Sequence, residues 1–153
     1  MDAAGLVKKY LGEKQVMQLA TVKDGQPWVC NLHFVPSEAG ILYWVSKTHR
    51  RHSQDIENDS KAAAAIAVKG PEHPVIGIQI EGKATVVTDK KEIEKAMKLY
   101  DSRYKVSKEF YNAVLDGSAS EIFYKITPTL IVLFDEENFP DDPRQEWHPT
   151  NAG

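Results

Sequence analysis

Residues 15–34, QVMQLATVKDGQPWVCNLHF, decide the fold of this chain. A mostly apolar run ends at Lys23, and it is followed by Asp24-Gly25, the dipeptide of a tight β-hairpin turn. Beyond the turn, apolar and polar side chains alternate as they do in a half-buried strand. One face of this second strand carries Trp28, Cys30, Leu32 and Phe34. We therefore predict an antiparallel hairpin at the start of a sheet.

The rest of the chain continues with short strands and a few helices. Alternation or apolar runs predict further strands over residues 41–46, 61–68, 75–87, 121–126 and 130–134, with Pro128 at the last joint. Helical spacing predicts helices over residues 2–13, 50–58, 90–104 and 107–115. The first three strands leave no room for crossover helices, which disfavours a parallel sheet. With the hairpin these seven segments make six or so strands, and we predict a mainly β (α+β) fold, a six-stranded antiparallel split β-barrel with peripheral helices.

Two local features refine this prediction. Gly82 interrupts the long strand over residues 75–87, which indicates a β-bulge or a close approach of another backbone. From Asp135 onward the chain becomes acidic and proline-rich. We predict one domain over residues 1–135 and a C-terminal tail without a core of its own over residues 136–153.

Composition excludes several classes of protein. The formal net charge of −3 gives no general attraction to nucleic acid. No apolar run approaches the roughly 18 residues needed to span a bilayer, and the N-terminus lacks the pattern of a secretory signal. The single cysteine, Cys30, excludes an internal disulfide and a multi-cysteine zinc site. We expect a cytoplasmic protein with no membrane and no nucleic-acid partner.

Against this acidic background, residues 47–52 (KTHRRH) form a local basic cluster. They lie where a strand passes into a helix, for which Thr48 is the predicted N-cap. Cationic side chains are unfavourable at a helix N-terminus, which already carries partial positive charge, so a bound anion would offset the repulsion. Two other interpretations remain open at this point: a solvated surface turn, and a zinc site that uses His49 and His52.

The order of these features resembles the FMN-binding split-barrel superfamily of the pyridoxamine 5′-phosphate oxidases. The resemblance covers most of residues 16–104 and is strongest to a small bacterial branch of that superfamily. The segments that carry it are MQLATV (17–22), WVCNLHF (28–34), LYWVSK (42–47), THRRHSQDIEN (48–58), IQIEGKA (78–84) and KLYDSRY (98–104). The C-terminal substrate-binding pattern of the oxidase itself is not found.

The resemblance implies which residues bind the phosphate of flavin mononucleotide (FMN). The basic pair at the helix start matches Arg51 and His52, and the family often has lysine in place of His52. Phosphate affinity is therefore expected to depend on pH near neutrality. Ser46 and Lys47 match positions that contact the ribityl chain or the phosphate.

The resemblance also implies which residues lie near the flavin ring. The strand beside the isoalloxazine carries Cys30, Asn31 and Leu32. Gln79 matches a position that reaches the ring edge, in some relatives from the partner subunit, and His33 matches a position on the substrate side. From local pattern alone, Cys30 is predicted to be a core residue and not a reactive thiol, and Trp28 and Trp44 are predicted to be core residues with no ligand role.

The function that follows is a flavin-dependent oxidoreductase acting on a small organic molecule, with His33 as the candidate for orienting the substrate. A bound flavin carries the electron chemistry, so the chain needs no nucleophile of its own. The alternatives are a split-barrel protein that binds F420 or haem, and a non-enzymatic module that binds flavin or another phosphorylated ligand. The family implies a homodimer, and an aromatic stripe of Tyr100, Tyr104 and Phe110 is compatible with one.

Overall fold

The computed structural model describes residues 1–149, which form four helices and eight strands. The helices are α1 (Ala3–Glu13), α2 (Arg51–Asn58), α3 (Lys90–Tyr104) and α4 (Lys108–Asp116). The strands are β1 (Val16–Lys23), β2 (Gln26–His33), β3 (Val35–Pro36), β4 (Leu42–Lys47), β5 (Lys61–Lys69), β6 (Ile76–Val86), β7 (Glu121–Asp135) and β8 (Arg144–Trp147).

One antiparallel sheet contains all eight strands and curls into a half-barrel. Its order is β2-β1-β5-β6-β7-β4-β3, and β8 pairs with β7 beside this path. The prediction of a mainly β fold with an antiparallel sheet and peripheral helices is confirmed. The predicted count of six strands is wrong, because β3 and β8 are too short to show a period in the sequence.

The first hairpin forms as predicted. Asp24 and Gly25 both have positive φ angles, 49° and 78°, as a two-residue turn that follows the twist of the strands requires. The pairing runs in register from Val16 opposite His33 to Lys23 opposite Gln26. This register sends Cys30 and Leu32 towards the core and leaves Val29, Asn31 and His33 exposed.

The C-terminal half of the sheet differs from the prediction. Residues 121–135 form the continuous strand β7, whereas the sequence predicts two strands separated at Pro128. A register shift between Glu81 and Gly82 places Gly82 opposite Pro128. The bulge predicted from Gly82 is confirmed. The strand passes through the proline because the bulge removes the need for a regular backbone hydrogen bond there.

Two buried clusters stabilise the fold. The larger lies inside the curl of the sheet and includes the apolar face of α1, and the smaller lies under α3 and α4. Tyr100 belongs to the second cluster, with its ring 5.8 Å from that of Phe123 on β7. Phe110 packs against the same cluster, so the aromatic stripe covers the chain's own sheet and offers no support for a dimer.

Part of the segment predicted to be a tail packs on the sheet. Strand β8 pairs with residues 131–134 of β7, and Trp147 packs against the larger cluster. A Cβ atom on Gly40 would lie 3.3 Å from the Trp147 ring, so the ring covers the turn between β3 and β4 closely. The boundary at residue 135 stays a prediction, but residues 144–147 are part of the sheet.

None of the helices within residues 1–149 combines the length and the hydropathy needed to cross a membrane.

Candidate functional site

The basic segment lies where β4 leads into α2. The N-cap of α2 is Arg50, which makes no side-chain capping bond, so the prediction of Thr48 as N-cap is wrong. A turn closed by the Arg50 amide and the Lys47 carbonyl (3.2 Å) places Thr48 two residues before the N-cap, Arg50. The Ser53 hydroxyl also donates to the Lys47 carbonyl, at 2.9 Å. Both bonds tie the start of α2 to Lys47, the last residue of β4.

An open cleft of about 520 Å³ lies between the turn of the first hairpin and α2. We name it the Arg51 cleft. Its lining residues are Lys23, Asp24, Gln26, His49, Arg51, Gln54 and Asp55. Lys23 and Arg51 contribute positive charge and His49 contributes ring nitrogens, whereas Asp24 and the buried Asp55 contribute carboxylates. Cations around an open cleft at a helix N-terminus are suited to binding an anionic group.

The guanidinium of Arg51 stacks on Trp28. Its Cζ atom lies 3.9 Å from the centre of the indole ring, well within the range of a cation–π contact. Trp28 is 40% exposed, so its prediction as a core residue is wrong. Trp28 lies near the hairpin turn, on β2, and β2 is an edge strand with a neighbouring strand on one side only. Trp44, by contrast, is fully buried as predicted.

Ser46 and His52, two of the predicted phosphate ligands, are buried and bonded to each other. Ser46 Oγ and His52 Nε2 lie 2.6 Å apart, and each residue is 8% exposed. Burial, followed by the nearby Arg50, lowers the pKa of His52, while Asp55 acts in the opposite direction. The lowered pKa places any titration of His52 at more acidic pH than the neutral range that the sequence predicts for its effect on phosphate affinity. Lys47 lies beside this pair and is half-buried.

The floor of the Arg51 cleft is formed by the buried carboxylate of Asp55. Its Oδ2 accepts a hydrogen bond of 2.9 Å from the Thr21 hydroxyl on β1. Burial, and then the charge of Asp55, raise the pKa of the Cys30 thiol. Cys30 is therefore a protonated, half-buried thiol, as expected of a residue that packs rather than reacts.

The remaining ring-binding candidates lie on the opposite face of the sheet. Strand pairing aligns Asn31, Gln18, Ala65 and Gln79 in one row across β2, β1, β5 and β6. The Gln18 amide donates to Asn31 Oδ1 at 2.9 Å. Gln18 and Gln79 both line a second pocket, of about 300 Å³. Because side chains alternate along a strand, this row points away from Cys30 and the Arg51 cleft.

Small, exposed side chains surround this row. Ala63, Ala65 and Ala67 of β5 are all exposed, and together with the row we name them the alanine face. Next to the alanine face lie Val16 and Val29, whose exposed fractions are 40% and 59%. They are two of the few large hydrophobic residues that are exposed within residues 1–149. A sheet face of this kind offers apolar area with little side-chain entropy to lose on contact.

His33 lies at the other end of β2 from Trp28, a separation of roughly 17 Å at the usual rise of a strand. Its exposed ring meets the edge of Tyr104 at 5.8 Å between centroids. The Tyr104 hydroxyl in turn donates to the carbonyls of Phe34 (2.5 Å) and Gln15 (3.1 Å). Within one chain, therefore, the candidate substrate residue does not meet the Arg51 cleft.

The structure brings together residues that the sequence prediction did not assign to the site. They are Lys23, Asp24, Gln26, Gln54 and Asp55, and they are joined by His49, which the sequence places only in the basic cluster. The position of Lys23 beside a turn and of His49 within the basic run is visible in the sequence, but only the packing of α2 against the hairpin shows that they share a cleft. No group of three His, Cys, Asp or Glu side chains within residues 1–149 is arranged to hold a metal ion.

Comparison with known proteins adds the family. The family model described as Pyridoxamine 5′-phosphate oxidase matches residues 5–133, which is most of the chain. No protein of curated function matches.

Several solved structures share the fold. The conserved hypothetical protein Rv2991 from Mycobacterium tuberculosis superposes with a TM-score of 0.75 at 16% identity, over 100% of this chain and 93% of its own. A heme binding protein from Mycobacterium smegmatis has a TM-score of 0.78 at 14% identity, over 97% of this chain and 59% of its own. A FAD-binding protein from Mesorhizobium loti has a TM-score of 0.63 at 19% identity, over 86% and 92%. At these identities the likeness shows the fold.

Proposed function

Because the chain belongs to the pyridoxamine 5′-phosphate oxidase family, we propose that it binds FMN with the phosphate in the Arg51 cleft. We further propose that it acts as a flavin-dependent oxidoreductase on a small organic substrate. The observation that carries the proposal is the position of Arg51. Its charge is exposed, lines an open cleft, and stands at the uncapped N-terminus of α2.

The phosphate end of the ligand fits the cationic part of the cleft lining, formed by Arg51, Lys23 and His49, and not the carboxylates of Asp24 and Asp55. A guanidinium matches phosphate with paired N–H donors, and Lys23 and His49 supply further cationic or donor groups around the same space. The first turn of α2 adds backbone N–H groups and the positive end of the helix dipole. A cleft of about 520 Å³ is within the usual range for small-ligand sites. His52 and Ser46, which are engaged with each other, are better suited to holding α2 in place than to direct contact with the phosphate.

The ring end of the ligand is supported by fewer contacts within one chain. Cys30 and Leu32 lie on the inner face of the sheet, whereas Asn31 and Gln79 lie on the alanine face. Both pairs can serve one flavin only if a second subunit brings its own residues to the site. This separation supports a homodimer in which the ring lies between subunits. The role of His33 in orienting substrate depends on the same assembly and remains a prediction.

FMN supplies electron-transfer chemistry when it is bound. The chain's own residues then have binding and orienting tasks. Arg51, with Lys23 and His49, holds the phosphate, and the Thr21–Asp55 bond keeps the floor of the cleft fixed. The protonated Cys30 thiol adds packing and no charge.

The first experiment is an absorption spectrum of the purified protein followed by FMN titration. We expect FMN to bind, and Arg51→Gln to weaken the binding at least tenfold. A charge-assisted hydrogen bond contributes about 1.5–3 kcal/mol, which corresponds to a tenfold to hundredfold change. The measurement is flavin fluorescence or absorbance during titration.

Arg50→Gln is the matched control. It also removes one arginine charge, but Arg50 is the neighbouring residue and does not line the cleft. Its effect should stay below about threefold, the size expected for an exposed charge. Wild-type protein that fails to bind FMN contradicts the cofactor proposal and makes F420 and haem the next ligands to titrate. Equal affinities of wild type and Arg51→Gln contradict the location of the phosphate.

The proposed dimer gives a separate prediction. Ala65→Arg places a long cation in the middle of the alanine face, and we expect it to convert the dimer to a monomer. Light scattering after size-exclusion chromatography measures the mass directly. Asn112→Arg introduces the same side chain on the exposed surface of α4 and should leave the mass unchanged. A wild-type monomer, or a dimer that survives Ala65→Arg, contradicts this interface.

A further inference from the structure

The stack between Trp28 and Arg51 is unusual for its position in the fold. Trp28 leaves 40% of its surface exposed on an edge strand, where it covers little of the core. Instead, one face of the indole ring lies against the Arg51 guanidinium, with the Cζ atom 3.9 Å from the ring centre. Within residues 1–149 we find no ion pair or hydrogen bond to this guanidinium, so the indole is its main partner.

The electrostatic surroundings make that contact informative. Arg51 follows Lys47, His49 and Arg50 and begins a helix, so these basic residues and the helix dipole repel its guanidinium. The carboxylates of Asp24 and Asp55 line the same cleft and attract it, but neither forms an ion pair or a hydrogen bond with it. Without a partner, a long arginine side chain in such a place would sample many rotamers. The negative face of the indole attracts the cation and limits it to one wall of the cleft.

We propose that Trp28 is a positioning residue, which holds Arg51 flat against the wall of the cleft so that its N–H groups are free for the phosphate. Stacking uses the face of the guanidinium, whereas its five N–H donors lie in its plane at the edge. The contact therefore costs the arginine none of its capacity for hydrogen bonding. The inference rests on the proposed FMN site and adds to it a residue that contacts the ligand only through Arg51.

The test is a double-mutant cycle on FMN affinity. Trp28→Leu keeps an apolar side chain but removes the ring, and should weaken FMN binding by between about threefold and thirtyfold, the range of cation–π energies. Trp28→Phe restores a ring face and should stay within about threefold of wild type. In the Arg51→Gln background, Trp28→Leu should change the affinity less than twofold, because there is no guanidinium left to position.

Riboflavin, which lacks the phosphate, serves as the second ligand. Its affinity should not respond to Trp28→Leu, and thermal unfolding of each variant checks that the fold is intact. If Trp28→Leu weakens FMN equally with and without Arg51, or has no effect, the positioning role is overturned while FMN binding in the Arg51 cleft stands. If wild-type protein binds no FMN, the proposed function and this inference both fall.

Discussion

Asp135→Asn is expected to lower the free energy of unfolding by about 3 kcal/mol, although the side chain hardly changes shape. Asp135 is fully buried at the end of β7. Its Oδ1 accepts from the backbone amides of Glu137 (3.0 Å) and Asn138 (2.9 Å), and its Oδ2 accepts from the Tyr10 hydroxyl (2.9 Å) and the Asn138 amide (2.7 Å). Each oxygen thus faces two donors. In the asparagine variant an NH2 group replaces one of the two oxygens and faces two donors that it cannot accept from. Each donor left unsatisfied costs about 1–3 kcal/mol.

Urea unfolding at neutral pH measures the effect. Glu137→Gln is the matched control, because it removes the same charge two residues away. Its pair with Lys69 is about half exposed and should contribute less than about 1 kcal/mol. Equal stabilities of Asp135→Asn and wild type would show that the four donors find other acceptors.

The same network predicts a pH dependence. Burial by itself raises the pKa of Asp135, but the hydrogen bonds from Asn138, Tyr10 and Glu137 outweigh burial and hold the pKa below its usual range. A carboxyl whose pKa is depressed by folding stabilises the protein above its ordinary pKa of about 4, and that contribution is lost as the pH falls further. The difference in stability between wild type and Asp135→Asn should therefore shrink below about pH 4.

At the alkaline end, burial and the bond to Asp135 raise the pKa of Tyr10 to about 12. The preference for the protonated phenol stabilises the fold below the ordinary tyrosine pKa near 10. This contribution is lost as the pH rises through about 12.

Gly82→Ala is expected to destabilise the protein by about 3 kcal/mol, the upper part of the range for overpacked sites. A Cβ atom at this position would lie 2.3 Å from the Thr127 carbonyl oxygen and 3.0 Å from the Cα atom of Pro128. Both are backbone atoms of the neighbouring strand, so the bulge itself must move to make room. The measurement is the midpoint of thermal or denaturant unfolding.

Gly12→Ala provides the control for this substitution. Gly12 lies in α1, and a Cβ atom there meets nothing within 4 Å. Alanine should stabilise that helix by up to about 1 kcal/mol. Opposite signs for the two replacements are the expected result. A neutral Gly82→Ala would show that the backbone at the bulge can move to accept a Cβ atom without loss of stability.

Local sequence determined the elements whose signals lie within a few neighbouring residues. The helical period of α1 is visible in the chain, and the structure adds that the Asp2 side chain caps this helix by accepting from the Gly5 amide at 2.9 Å. Asp24-Gly25 specifies the hairpin turn because few other residues adopt positive φ at low cost. Gly82 marks the bulge for a related reason, since only glycine leaves room for the opposite backbone.

Only the tertiary structure decided how distant elements meet. Gly82, the residue of β6 that lies opposite Pro128, is 46 residues away from it in the chain, and β8 is too short to show a period. The same limit applies to the site. The composition of residues 47–52 predicts an anion site at the start of α2, but the pairing of His52 with Ser46 depends on how the helix seats on the sheet.

Exposure of Trp28 follows from the same cause. An alternating apolar pattern predicts a buried face, but burial also requires something to cover that face, and here the cover is Arg51. The separation of Asn31 and Gln79 from the Arg51 cleft likewise follows from strand register. Sequence by itself therefore determined the local elements and the chemistry of the basic segment. Which side chains share a site was decided by long-range packing, since burial, register and pairing depend on neighbours that are remote along the chain.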